Sequence, residues 1–178
     1  MVLVQPDPLP HLVLVVVCVL SAWTDVRTGL ISDYVTLSGL AAGLILAVTL
    51  HGVSGLWSAA LGAGMGFGIF GILWLIKTME SGDVFLMGSV GSLLGFPAVL
   101  WGMLLSSLFG VLVGIAWMVA QGRTKQVVSN MVSMFRRAWK SDEPSIEGTP
   151  FPFGLAIAAG SLYTAAIAYW PALAPSWL

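Results

Sequence analysis

From Val84 to Ala120 the sequence runs for 37 residues without a charged side chain. As a helix, that stretch would be about 55 Å long, nearly twice the roughly 30 Å of hydrocarbon in a bilayer. It must therefore fold back on itself. Gly95-Phe96-Pro97 supplies the turn, because Gly relaxes the backbone and Pro ends one helix and opens the next. Four further apolar runs, at about Leu9–Trp23, Val35–Leu50, Leu56–Ile76 and Phe151–Trp170, are each of a length to cross a membrane. The expectation is an all-α polytopic membrane protein of about six transmembrane helices, with residues 1–178 forming one domain. Composition excludes a soluble fold: 58% of residues are hydrophobic and 8% charged, against roughly 25% charged in soluble domains.

The first apolar run is read as a retained span rather than a signal peptide, since it lacks a basic leading region and follows Asp7 and three prolines. Cys18, the only cysteine, lies within that run, which excludes an intrachain disulfide and a multi-cysteine zinc site. The fourth span, near Val84–Leu94, is short and Gly-rich, so a re-entrant hairpin stays open as an alternative there. Glycines such as Gly62, Gly64 and Gly66 in the third span read as close helix packing in lipid.

Charge sets the orientation. With the N-terminus outside, the inner segments are 23–34, 77–83 and 121–150. All seven basic residues, Arg27, Lys77, Arg123, Lys125, Arg136, Arg137 and Lys140, fall in them. That distribution obeys the positive-inside rule. Within the long segment 121–149, apolar positions recur at helical spacing from Lys125 to Lys140, which predicts an amphipathic helix on the anionic inner leaflet.

On this topology Asp25, at the inner end of span one, and Asp83, at the inner start of span four, share a depth and a side although 58 residues separate them. Two carboxyl groups a few Å apart do not both ionise easily, and such a pair acts as general acid and general base on a water molecule. Helix capping or interfacial solvation accounts for each acid equally well from spacing alone.

The segment from Thr24 to Asp33, TDVRTGLISD, resembles the first motif of the type IV prepilin peptidases, an Asp followed five residues later by Ile-Pro-Asn. Ser81-Gly82-Asp83-Val84-Phe85-Leu86-Met87, followed by Gly88, Gly91 and Gly95, resembles that family's GxGD motif. The segment from Pro150 to Gly160 is similar to the opening of its last helix. The resemblance implies a GxGD-type intramembrane aspartic endopeptidase that removes the leader of pilin-like precursors at the cytoplasmic face of the bacterial inner membrane, with Asp25 and Asp83 catalytic. It is nearest the compact form associated with tight-adherence pili, without an N-methyltransferase domain. Three positions depart from the pattern: Ser32 stands for Pro, Phe85 for Lys, and Glu80 for the first Gly of GxGD.

Arg27, Asp33, Glu80, Gly82 and Gly154 are the candidate supporting or substrate-binding residues. Glu80 either adds a third carboxylate to the acid pair or pairs with Lys77, and Arg27 and Asp33 either orient the first motif or form a solvated pair. His11 and His51 fall on the outer side, far from the acids. No metal or other cofactor is called for, since there is no HExxH and no His near the acids. The expected partners are a membrane-anchored precursor and lipid, not nucleic acid. The competing readings are a catalytically degenerate assembly factor of a pilus or secretion system and a small proton- or cation-coupled transporter.

Overall fold

The computed structural model describes residues 7–76, 79–120 and 153–170, and these are helical with short connections. Contacts group residues 1–110 with 152–178 as one compact unit and 111–151 as another. Of the second unit, the described part is the end of one helix. The interfacial helix expected within 121–149 lies outside the described residues, as does Lys77.

Helix α1 spans Pro8–Thr28, opens with Pro in its first turn, and stops at Gly29, whose φ of 68° is left-handed. The Gly29 N–H closes that turn on the Asp25 carbonyl at 2.8 Å, the usual way a glycine ends a helix. Its 21 residues reach about 31 Å, enough for one crossing. Helix α2 covers Asp33–Leu75 and is interrupted only at Gly52, where φ is 62° and ψ is −143°. Glycine reaches that conformation without steric cost. The sequence reading expected two spans with a short connection near this place, and a single bent glycine replaces that connection.

Helix α3, Ser81–Leu94, shows how the two arms of α2 lie. Along the first arm, Gly39 meets Ser89 and Gly43 meets Ser92, so this arm runs parallel to α3. Along the second, Gly66 meets Met87, Gly62 meets Gly91, and Ser58 meets Phe96, so it runs antiparallel. The arms, 33–51 and 53–75, therefore form a helical hairpin folded at Gly52. Helix α4, Ala98–Ala120, follows after Gly95-Phe96-Pro97, the turn expected from the sequence. That turn is fastened to α2, with the Phe96 N–H donating to the Ser58 carbonyl and the Ser58 hydroxyl donating to the Phe96 carbonyl, both at 3.1 Å. Helix α5, Phe153–Tyr169, runs antiparallel to α1, since Gly154 bonds Asp25 at one end and Tyr169 stacks on His11 at the other.

Among the described residues three helices, α1, α2 and α4, are long and apolar enough to cross a membrane, while α3 and α5 are shorter apolar helices. The chain is an all-α membrane protein, and with α2 bent double its described residues form six helical segments. The shortest of them, α3, is also the most enclosed: Asp83, Val84 and every residue from Leu86 to Leu93 are buried. A helix buried on all faces is apolar all round, and α3 matches that pattern apart from Asp83 and its serines. Around it pack Leu14, Val17 and Cys18 of α1, Phe70 of α2 and Ile157 of α5, while Leu12, Val16 and Val19 on the other side of α1 are exposed toward lipid.

The closest approach is glycine against glycine. A Cβ at Gly91 would collide with the Gly62 carbonyl, and one at Gly62 with the Gly91 carbonyl, whereas a Cβ at Gly64 would meet nothing within 4 Å. Gly91→Val is expected to cost about 1 to 3 kcal/mol through forced separation of α2 and α3. Thermal unfolding in detergent checks this, with Gly64→Ala expected to leave the transition unchanged.

Candidate active site

Asp25 lies in the last turn of α1 and Asp83 in the first turn of α3. Both side chains are buried, with relative exposures of 8% and 6%. A carboxyl group inside an apolar bundle is costly unless donors or a partner face it. Asp25 has them: the Gly154 N–H donates to its Oδ2 at 2.7 Å, and the Leu155 N–H also faces it. These amides belong to the first turn of α5, where backbone N–H groups have no partner within the helix. Asp25 thus caps α5 from a position 129 residues away, and the positive end of that helix faces its carboxylate.

Asp83 lies within electrostatic reach of Asp25, and Glu80 within reach of both. The fold therefore brings the carboxyl groups of Asp25, Asp83 and Glu80 within electrostatic reach at one end of the bundle, the first two buried and Glu80 exposed. This acid end also carries Gly29, Ser32, Ile76 and Phe153, the finish of α1, both ends of α2 and the start of α5. Among the described residues no cluster of His, Cys, Asp and Glu has the form of a metal site.

The remaining predicted site residues divide. Gly154 is brought directly onto Asp25, since a Cβ there would lie 2.8 Å from Oδ2. Gly82 sits against Ile31, at 3.0 Å from an added Cβ to the Ile31 Cβ. Arg27 and Asp33 are exposed, and Arg27 stacks its guanidinium 4.0 Å above the Trp23 ring rather than pairing with Asp33. His11 and His51 lie at the far end, as expected, where His51 Nε2 is 3.1 Å from Asp7 Oδ2.

The sequence reading gave no role to Ile31, which the fold wedges between Gly82 and Gly154, with Cδ1 2.9 Å from a Cβ added at the latter. One branched apolar residue thus touches the start of α3 and the start of α5, the supports of both acids. Its signal was an apolar pair, Leu30-Ile31, inside the short connection between two helices.

Each departure from the prepilin peptidase pattern fits its place. Ser32 holds φ at −71°, the value a proline ring would impose. Glu80 precedes α3 at φ −85° and ψ 157° and is exposed, an extended backbone that does not need glycine. Phe85 packs edge-on against Phe67, with ring centroids 5.8 Å apart, so it joins α3 to α2 where a lysine would find no such partner.

The sequence profile of the type IV leader peptidase family matches residues 12–115, a stretch that holds both acids and the helices that carry them. The chain belongs to this family. It is also 30% identical over 148 residues to the prepilin leader peptidase/N-methyltransferase of Myxococcus xanthus (strain DK1622), a region covering 79% of this chain and 41% of that protein. The chain thus spans about two fifths of the curated relative it matches. No solved structure matches it. The family match ends within α4, so α5, whose Gly154 amide bonds Asp25, lies outside the matched stretch.

Gly154→Ala is expected to destabilise the fold by about 1 to 3 kcal/mol, because the methyl group would press on the buried Asp25 carboxylate that the α5 amides hold in place. Differential scanning of the purified chain checks this. Asp25→Ala, which leaves the first amides of α5 without their acceptor, is expected to lower the transition by a similar amount.

Proposed function

We propose that this chain is an aspartic endopeptidase that cuts the leader from pilin-like precursors, with Asp25 and Asp83 as its catalytic pair. One observation carries the reading: two buried carboxyl groups, 58 residues apart in sequence, meet at one end of an apolar bundle and feel each other's charge. Capping of α5 accounts for Asp25, but a second buried carboxyl within its electrostatic reach adds repulsion that packing does not require, and intramembrane acids are expensive to keep.

The chemistry follows from that pair. One carboxylate takes a proton from a water molecule, and the water oxygen bonds to the scissile carbonyl carbon while the partner carboxylic acid protonates the carbonyl oxygen. Collapse of the tetrahedral species then breaks the C–N bond, and the departing amine takes the proton held by the first acid. The partner carboxylate recovers its proton from a hydroxyl of the tetrahedral carbon. The α5 amides hold Asp25 in place throughout, so that only the substrate has to move. Glu80, exposed at the entrance, adds negative charge where a basic leader would arrive. Arg27, Asp33 and Gly82 frame the same end.

The acid end faces the cytoplasm of the bacterial inner membrane in this reading, because the segments that carry all seven basic residues lie on that side. The basic helix expected within 121–149 would rest on the same anionic surface and meet a precursor lying along it. The position of the acids at helix ends favours the peptidase over a transporter, whose ion-binding acids belong near the bilayer midplane.

Coexpression of this chain with a pilin-like precursor, read as a gel shift on leader removal, tests the proposal. Asp25→Asn and Asp83→Asn are each expected to reduce processing by at least about a hundredfold, the scale on which acid and base catalysis contributes. Processing that survives either substitution would reject the assignment.

A further inference from the structure

A cavity of the bundle lies at the end opposite the acids, bordered by Asp7, His11 and His51. It has a volume of about 340 Å³ and is enclosed by the start of α1, both arms of α2 near the bend, and the C-terminal ends of α3 and α5. Its deeper wall includes Gly43, Ser92, Leu93 and Thr164, all buried. The two hydroxyl groups there are already committed as donors, Ser92 to the Ser89 carbonyl at 2.8 Å and Thr164 to the Gly160 carbonyl at 2.9 Å. That wall therefore offers little to water, and apolar cavities of this kind stay dry or take an apolar guest.

The rim differs. Asp7, His11 and His51 border the cavity there. Asp7 uses Oδ2 toward His51 Nε2, and its carbonyl oxygen lies 2.8 Å from His11 Nδ1. Among the described residues no Lys or Arg stands at this end, so its one formal negative charge faces outward beside two imidazoles. Gly43 is nine residues from the bend at Gly52, about 13 Å along the helix. The cavity therefore reaches from a charged rim to roughly the middle of a 30 Å hydrocarbon layer.

An apolar shaft of that depth under a carboxylate-bearing rim is complementary to an acyl chain under a cationic head. We propose that this cavity binds one acyl chain of a membrane phospholipid with an amine head group, the ammonium set against Asp7 and the phosphate against the imidazoles of His11 and His51. At about 340 Å³ the space lies near the lower bound of ordinary ligand pockets and suits one chain rather than two. An anionic head group without an amine would meet the Asp7 carboxylate unfavourably. This site is separate from the acid pair and does not depend on the peptidase reading.

Native mass spectrometry of the full chain, released from detergent after incubation with phosphatidylethanolamine or with phosphatidylglycerol of identical chains, tests the inference. One phosphatidylethanolamine should be retained per chain, with about fivefold preference over phosphatidylglycerol, the scale of one partly exposed ion pair. Ala47→Phe, which fills the shaft, should abolish retention of both lipids. Asp7→Asn, a change of similar size at the half-buried rim that leaves the shaft open, should keep lipid but remove the preference. Retention of no lipid by the unaltered chain, equal retention of the two lipids, or undiminished retention by a folded Ala47→Phe variant would each overturn it. Because the readout is bound lipid, a failure here is distinguishable from a failure of peptidase activity.

Discussion

The bond between the Asp25 carboxylate and the first amides of α5 is the constraint on which the acid end depends. Each group would be a liability alone: a buried carboxylate needs donors, and a helix beginning inside an apolar bundle needs acceptors. Joined at 2.7 Å, they satisfy each other and tie the first helix to the last. The approach requires a residue without a side chain at Gly154, and Ile31 fills the remaining space between that glycine and Gly82. The position of Asp25 is thus fixed by parts of the chain far from it in sequence.

The position of Asp83 rests on a different device. Helix α3 is held inside the α2 hairpin by close contacts between small residues, Gly39 and Gly43 on one arm and Gly62 and Gly66 on the other. In lipid, where burial of apolar surface gives little drive for helices to associate, such backbone proximity supplies the packing energy. Because the arms run in opposite directions, the bend at Gly52 and the turn at Gly95 fall toward the far end. The start of α3 then comes to the same end as the finish of α1. Two acids from distant motifs meet because the hairpin sets the direction of the helix that carries the second.

Much of this was legible in the sequence. Apolar run lengths gave the helical segments, Gly95-Phe96-Pro97 gave the turn between α3 and α4, and the placement of charge put Asp25 and Asp83 together with the histidines away from them. What was not legible lay in tertiary contacts. Nothing near Gly52 marks it as a bend within a continuous helix rather than part of a loop, since the flanking residues are compatible with either. The capping of α5 by Asp25 involves a backbone amide, which has no sequence signature. Phe85 read as a departure from a motif until Phe67 appeared beside it. Arg27 read either as orienting the first motif or as half of a solvated pair, whereas it lies over the Trp23 ring.

The central claim is that the fold brings residues 25 and 83 together at one end of the bundle. Its most direct measurement is intramolecular bridging of Asp25→Cys with Asp83→Cys by a short bifunctional thiol reagent in a Cys18→Ala background, identified as a linked peptide pair by mass spectrometry. The account predicts an efficient bridge within one chain, and none between Asp25→Cys and His51→Cys, which stand at opposite ends. A bridge between 25 and 51, with none between 25 and 83, would contradict it.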